Sequence, residues 1–148
     1  MADQYVLEAL RKALAAELSA VEIYSAHARA IQEDIIAQGV RAILEVEKRH
    51  AQELTERIKQ LGGTPIEPGG EETILGRAIG AASAQASTRE MLEIELREEQ
   101  LAIKDYATFI AEIMGDEETV SIMERHLKDE IDHARWLKKQ IEALSKRG

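Results

Sequence analysis

The sequence predicts an all-α protein: a four-helix bundle made of two antiparallel helix hairpins joined by a long crossover. Three observations predict it. Apolar residues recur at spacings of three and four through four long segments. Helix-favouring Ala, Leu, Glu, Lys, Arg and Gln dominate, with only 2 prolines in 148 residues. Short links at Gly39 and Gly115 pair the segments, and one long connection separates the pairs.

The first helix is expected over about 3–37, from Asp3 to Ala37, with Gly39 as the link. The second, over 40–61, stops at Gly62-Gly63-Thr64-Pro65, a strong terminator. The crossover covers 62–86. Such a length is uncommon without a task. Its second half, Glu71 to Ala86, has Ile74, Leu75, Ala78 and Ile79 spaced for one face of a short helix. The third long helix is expected over 87–114, ending at Gly115. Asp116 can cap the fourth, over 116–144.

Length and composition predict one domain over 1–148 with an ordinary globular balance, 45% apolar and 32% charged. The absence of cysteine excludes disulfides, zinc-thiolate sites, iron–sulfur clusters and thiol nucleophiles. No apolar run approaches the roughly 20 residues of a membrane span. Met1-Ala2-Asp3-Gln4 is polar and opens no signal-peptide core, so a cytoplasmic protein is expected. A net charge of −9 argues against a nucleic-acid partner.

The core stripes contain charged residues. They read Leu10, Leu14, Glu17, Val21, Tyr24 in the first long helix and Ile43, Glu47, His50, Leu54 in the second. The other two read Leu96, Glu99, Ile103, Tyr106 and Met123, Leu127, Glu130, His133, Leu137. Every stripe has a glutamate near its middle, and two carry a histidine three residues on. A buried unpaired carboxylate is very costly. Four at matching depths call for one cause, and metal supplies it. Four carboxylates balance two divalent cations. Oxygen and imidazole donors without thiolates suit iron or manganese, and zinc can substitute.

The halves repeat one another. Glu17 to Tyr24 and Glu99 to Tyr106 both read E-x-x-A-[VI]-x-x-Y. Glu47 to Leu54 and Glu130 to Leu137 both read E-x-x-H-A-x-x-L. Glu47 follows Glu17 by 30 positions and Glu130 follows Glu99 by 31. This register selects Glu99 over Glu95 and Glu98. Tyr24 and Tyr106 have two readings. Either they pack in the core with a hydroxyl on a carboxylate, or they act as a donor to a ligand or as a local electron source. His27 and His126 read as surface or structural groups, Glu95 and Glu98 as helix surface charge, and Trp136 as core. Glu95 has a second reading, as a group that passes ions inward.

One Glu from each of two helices plus Glu-x-x-His from the other two is the ferritin-like di-metal pattern. The chain resembles the bacterioferritin branch of that superfamily over nearly its whole length. The resemblance rests on Glu17 to Arg29, Glu47-x-x-His50-Ala51, Glu56-Arg57-Ile58 leading to Leu61-Gly-Gly-Thr-Pro65, Arg89 to Leu92 with Glu99, and Asp129-Glu130 with His133 and Trp136-Leu137. It implies a ferritin-like fold with a di-iron ferroxidase centre. Glu17 and Glu99 would be terminal ligands, Glu47 and Glu130 would bridge, and His50 and His133 would each bind one ion. Fe(II) would be oxidised by O2 or H2O2 for iron handling or detoxification.

Three departures from the family stand out. Lys48 occupies the position of the haem methionine, so no haem is expected. Only 15 residues follow His133, so no fifth, C-terminal helix is expected. The crossover is several residues longer than usual. By resemblance a homo-oligomer is expected, with a dimer favoured over a closed shell. The alternative is a rubrerythrin-like peroxidase or another di-iron or di-manganese oxidase with a fixed cofactor. Rubrerythrins tend to carry an extra glutamate where Ala102 stands. A third reading is a metal-buffering protein without oxygen chemistry.

Overall fold

The computed structural model describes residues 3–147. The reading of Met1-Ala2 as part of a polar start lies outside them. Five helices follow in order: α1 (Gln4–Ala30), α2 (Asp34–Gln60), α3 (Glu71–Ser83), α4 (Thr88–Glu112) and α5 (Glu117–Arg147). The main packing pairs are α1 with α2, α4 with α5, and α3 against α1. The expected all-α architecture, two helix hairpins joined by a long crossover, holds. The expectation of four helices with no fifth, C-terminal one is corrected. The described residues form five, and the fifth runs to Arg147 at the C-terminal end. The count rises because the crossover contributes α3, a full helix ahead of α4.

Capping sets several of the bounds. Asp3 accepts from the Tyr5 amide at 2.8 Å at the start of α1. Ser87 accepts from the Glu90 amide at 3.1 Å at the start of α4. Asp116 accepts from the Thr119 amide at 3.1 Å and pairs with Arg57 at 3.2 Å, tying α5 to α2. The stop after α2 lies where the sequence places it. Gly62 takes a positive φ of 81°, and the Gly62 and Gly63 amides donate to the Lys59 and Ile58 carbonyls.

The first link differs from its expected place. The chain turns at residues 31–33, where Ile31 and Glu33 are extended, and Gly39 lies inside α2. Gly39 serves close approach instead of a turn. A Cβ there would collide with the Trp136 indole. The face expected for α3 is also corrected. Thr73, Gly76, Gly80 and Ser83 are buried, while Ile74 and Leu75 are exposed. Gly76 and Gly80 let α3 sit on the α1 backbone. A Cβ at Gly76 would meet the Ser19 carbonyl oxygen at 2.5 Å.

The apolar core falls into two clusters. One holds Leu10, Leu14, Leu54, Ile58 and Met123; the other holds Tyr24, Val40, Leu92 and Leu137. Glu17, Glu47, Glu99 and Glu130 belong to neither. Along each stripe they fall between residues of the two clusters.

Candidate metal centre

Each of α1, α2, α4 and α5 brings one glutamate to the centre, and α2 and α5 add a histidine one turn on. Glu47 with His50, and Glu130 with His133, share a helix face because they are three residues apart. All six residues are buried; His133, at 9% exposed, is the least so. Their donor atoms form two overlapping sets that can hold a metal ion: Glu17, Glu47, His50 and Glu130, and Glu47, Glu99, Glu130 and His133. Within each set the donor atoms lie within 4.8 Å of one another. Glu47 and Glu130 are common to both. The structure therefore brings together all six residues picked out from the repeat.

The donors converge with little internal pairing. His50 Nδ1 lies 2.7 Å from Glu17, 3.7 Å from Glu130 and 3.8 Å from Glu47. His133 Nδ1 lies 3.3 Å from each of Glu47, Glu99 and Glu130, aligned for a hydrogen bond to none. Glu47 Oε1, Glu99 Oε2 and both Glu130 oxygens are likewise buried without a partner. Buried polar atoms are nearly always satisfied. Five orphaned atoms converging on one place fit a divalent cation with oxygen and imidazole ligands.

Electrostatics tell the same story. Burial first, then the Glu130 charge, pushes Glu17 well above the carboxylate range. Burial and then Glu17 do the same to Glu47. Burial raises Glu99 to about 7, and burial with the Glu47 charge raises Glu130 to about 8. Burial pulls His133 down, but Glu130, Glu47 and Glu99 outweigh it and push it up to about 12. Without a cation, this cluster holds protons in its place.

The supporting groups differ from side to side. Tyr24 donates to Glu99 Oε1 at 2.9 Å. Tyr106 reaches no carboxylate; its hydroxyl meets His126 Nδ1 at 3.0 Å. His126 is buried, meets Glu53 through Nε2 at 2.8 Å, and stacks on His50 with ring centres 3.9 Å apart. Burial and then the His50 charge pull His126 down to about 3, so it is neutral. Asp129, half-buried, lies 2.8 Å from His50 Nε2.

His27, read as a surface or structural group, and Glu95, read as helix surface charge, are fully buried in a chain across α4, α1 and α3. Glu95 lies 2.6 Å from His27 Nδ1, and Ser83 lies 2.6 Å from Nε2. The surface and ion-passing readings of Glu95 both give way to this pairing. Glu98 instead lines a small cavity together with Leu101, Ala102 and Asp105, and the same cavity is lined by Glu17, Glu47, Glu99 and Glu130. Sequence reasoning missed the roles of Glu53, Glu95, Asp129 and His126. Two signals were available. His126, Glu130 and His133 are spaced for one face, and so are Glu95 and Glu99.

A ferritin-like domain model matches residues 7–147. The chain belongs to the ferritin-like family. Its relatives are bacterioferritins, as the motifs suggest. A bacterial ferritin from Neisseria meningitidis is 30% identical over 96% of this chain and 90% of its own. The bacterioferritin of Mycobacterium tuberculosis superposes with a TM-score of 0.83 at 27% identity, over 100% of this chain and 91% of its own. A Rhodobacter capsulatus bacterioferritin, described with a metal-free dinuclear site and haem iron, gives 0.77 at 30% identity, over 99% and 89%. A dodecameric thioferritin from Bacteroides fragilis gives 0.81 at 20% identity, over 96% and 87%, which shows the fold alone. Among the described residues, no helix is long and apolar enough to cross a membrane.

Proposed function

We propose that this chain is a ferroxidase that binds two Fe(II) ions between its helices and oxidises them with O2 or H2O2. The observation that carries this reading is the pair of donor sets sharing Glu47 and Glu130, with orphaned oxygens at their meeting point. Glu17 and Glu99 each hold one ion, Glu47 and Glu130 bridge, and His50 and His133 each bind one. Each Fe(II) gives up one electron. H2O2 takes the two electrons and two protons as its O–O bond breaks to give two waters; O2 takes the same two of each to give H2O2. The protein fixes donor geometry, supplies the balancing negative charge and limits water. Tyr24 keeps Glu99 oriented. The small Glu98-lined cavity gives the ions a route inward. Manganese suits the same donors, and zinc can occupy them without redox chemistry.

Haem is not part of the proposal. Lys48, at the position where the resemblance places a methionine, is a half-exposed side chain 3.2 Å from Glu45. We propose a homo-oligomer acting in the cytoplasm for iron handling. The preference for a dimer is not carried into the proposal.

Two measurements test the reading. Glu47→Ala combined with Glu130→Ala should reduce Fe(II) oxidation to the rate of buffer alone; oxidation at the wild-type rate defeats the assignment. Stepwise Fe(II) addition in air, followed by iron per chain and particle mass, then separates uses. Tens of irons per chain in a large particle mean a store. Two per chain on a small particle, with steady peroxide turnover, favour the rubrerythrin-like alternative.

A further inference from the structure

We infer that the two metal positions are unequal, and that Asp129 makes the position at His50 the tighter of the two. This rests on the two-metal reading above. His50 is held at both ends of its ring, with Nδ1 facing the carboxylates and Nε2 2.8 Å from Asp129. A proton on Nε2 donated to Asp129 leaves the Nδ1 lone pair aimed at the centre. A carboxylate behind a ligating imidazole fixes its rotation and strengthens it as a donor. The stacked ring of His126 further restrains His50.

His133 lacks these supports. Its Nδ1 faces three carboxylates, but among the described residues no further carboxylate lies within 4.0 Å of its ring nitrogens. The repeat explains the gap. Asp129 immediately precedes Glu130 and reaches across to His50. The residue immediately preceding Glu47 is Val46. His126 lies four positions before Glu130, and its counterpart before Glu47 is Ile43. Two polar supports on one side therefore have apolar counterparts on the other. His133 is also the most exposed of the six residues. The position at His50 fills first; the one at His133 fills second and empties first.

Co(II) titrated into the full metal-free chain, followed by calorimetry and visible absorption, tests this. Two steps of one ion per chain are expected, at least about tenfold apart. Asp129→Val should weaken the first step about tenfold or more, and Val46→Asp should strengthen the second by a similar factor. At one Co(II) per chain, proton NMR in water should give one hyperfine-shifted, slowly exchanging imidazole N–H, lost in Asp129→Val while helix content is unchanged. Equal steps in the wild type, or variants that leave the interval between steps unchanged, overturn the inference and leave the two-metal reading standing. Absence of Co(II) binding defeats that reading, and the inference with it. If Asp129→Val does not fold, Val46→Asp decides alone: an unstrengthened second step overturns the inference.

Discussion

The α1–α2 and α4–α5 hairpins repeat the same donors but not the same supports. Glu17 answers to Glu99, Glu47 to Glu130 and His50 to His133. Behind them the symmetry ends. Tyr24 meets a donor carboxylate directly, whereas Tyr106 meets a histidine. Asp129 has Val46 as its counterpart, and His126 has Ile43. On the two-metal proposal the donors answer to the charge of the ions, so both halves keep them. The supports tune each half separately and are free to diverge. Substituting donors should therefore give symmetric outcomes, and substituting supports asymmetric ones.

The largest expected effect is on the donors. Glu47→Ala or Glu130→Ala removes a residue common to both sets and should abolish tight binding of both Co(II) ions, each weakened at least about 100-fold. Glu17→Ala should spare one ion at His133, and Glu99→Ala one at His50. Stoichiometry from equilibrium dialysis reads this directly. One ion retained after Glu47→Ala would mean that the residue serves a single position, and the symmetry of the donors would fail.

The buried cluster was legible in the sequence because its residues violate a rule. A glutamate in an apolar stripe is conspicuous, and four in register across a repeat admit few explanations. The Gly62-Gly63 stop was legible because it ends a helix by backbone geometry alone. The turn at residues 31–33 was not, because no glycine or proline marks it and Gly39 offered a false break. Only the packed structure shows that Gly39 clears space for Trp136. The α3 face was misread for a related reason. Apolar spacing pointed to Ile74 and Leu75, but helix-on-helix contact at Ser19 favours the glycines. Asp129 and His126 escaped notice because a polar residue near a helix surface is ordinary until its partner across the bundle is known.

A second effect concerns stability. Glu99 and Glu130 are raised from about 4.5 to about 7 and about 8, and Glu17 and Glu47 are raised as well. The metal-free folded chain therefore binds more protons than the unfolded chain over this window. That stabilisation is fully present below about 4.5 and is lost as pH rises through about 8. His133, raised from 6.5 to about 12, adds to the same slope above 6.5. The metal-free Tm should fall by about 5 °C or more between pH 5.5 and pH 8. Two Co(II) ions per chain should raise Tm most at the alkaline end, because binding releases those protons. A metal-free Tm that is flat or rises over this window would contradict the buried, proton-holding cluster.

The smallest effects separate the two tyrosines, and they bear on the supports alone. Tyr24→Phe removes the donor to Glu99 Oε1, whose partner oxygen is already orphaned. Glu99 then loses orientation, and the Co(II) step at His133 should weaken by about tenfold. Tyr24→Phe also leaves Glu99 Oε1 buried without a partner, so stability of the metal-free chain should fall by about 1–3 kcal/mol. Tyr106→Phe should share the stability cost but not the effect on metal binding. It leaves His126 Nδ1 buried without a partner, and an unsatisfied buried acceptor costs about 1–3 kcal/mol. Both Co(II) steps should stay within about threefold of wild type, because Tyr106 touches no donor carboxylate and Asp129 still holds His50. Urea unfolding of the metal-free variants, set beside their Co(II) titrations, gives the comparison. If Tyr106→Phe weakened metal binding as much as Tyr24→Phe at equal stability, the two supports would be equivalent in effect and the asymmetry would be confined to Asp129.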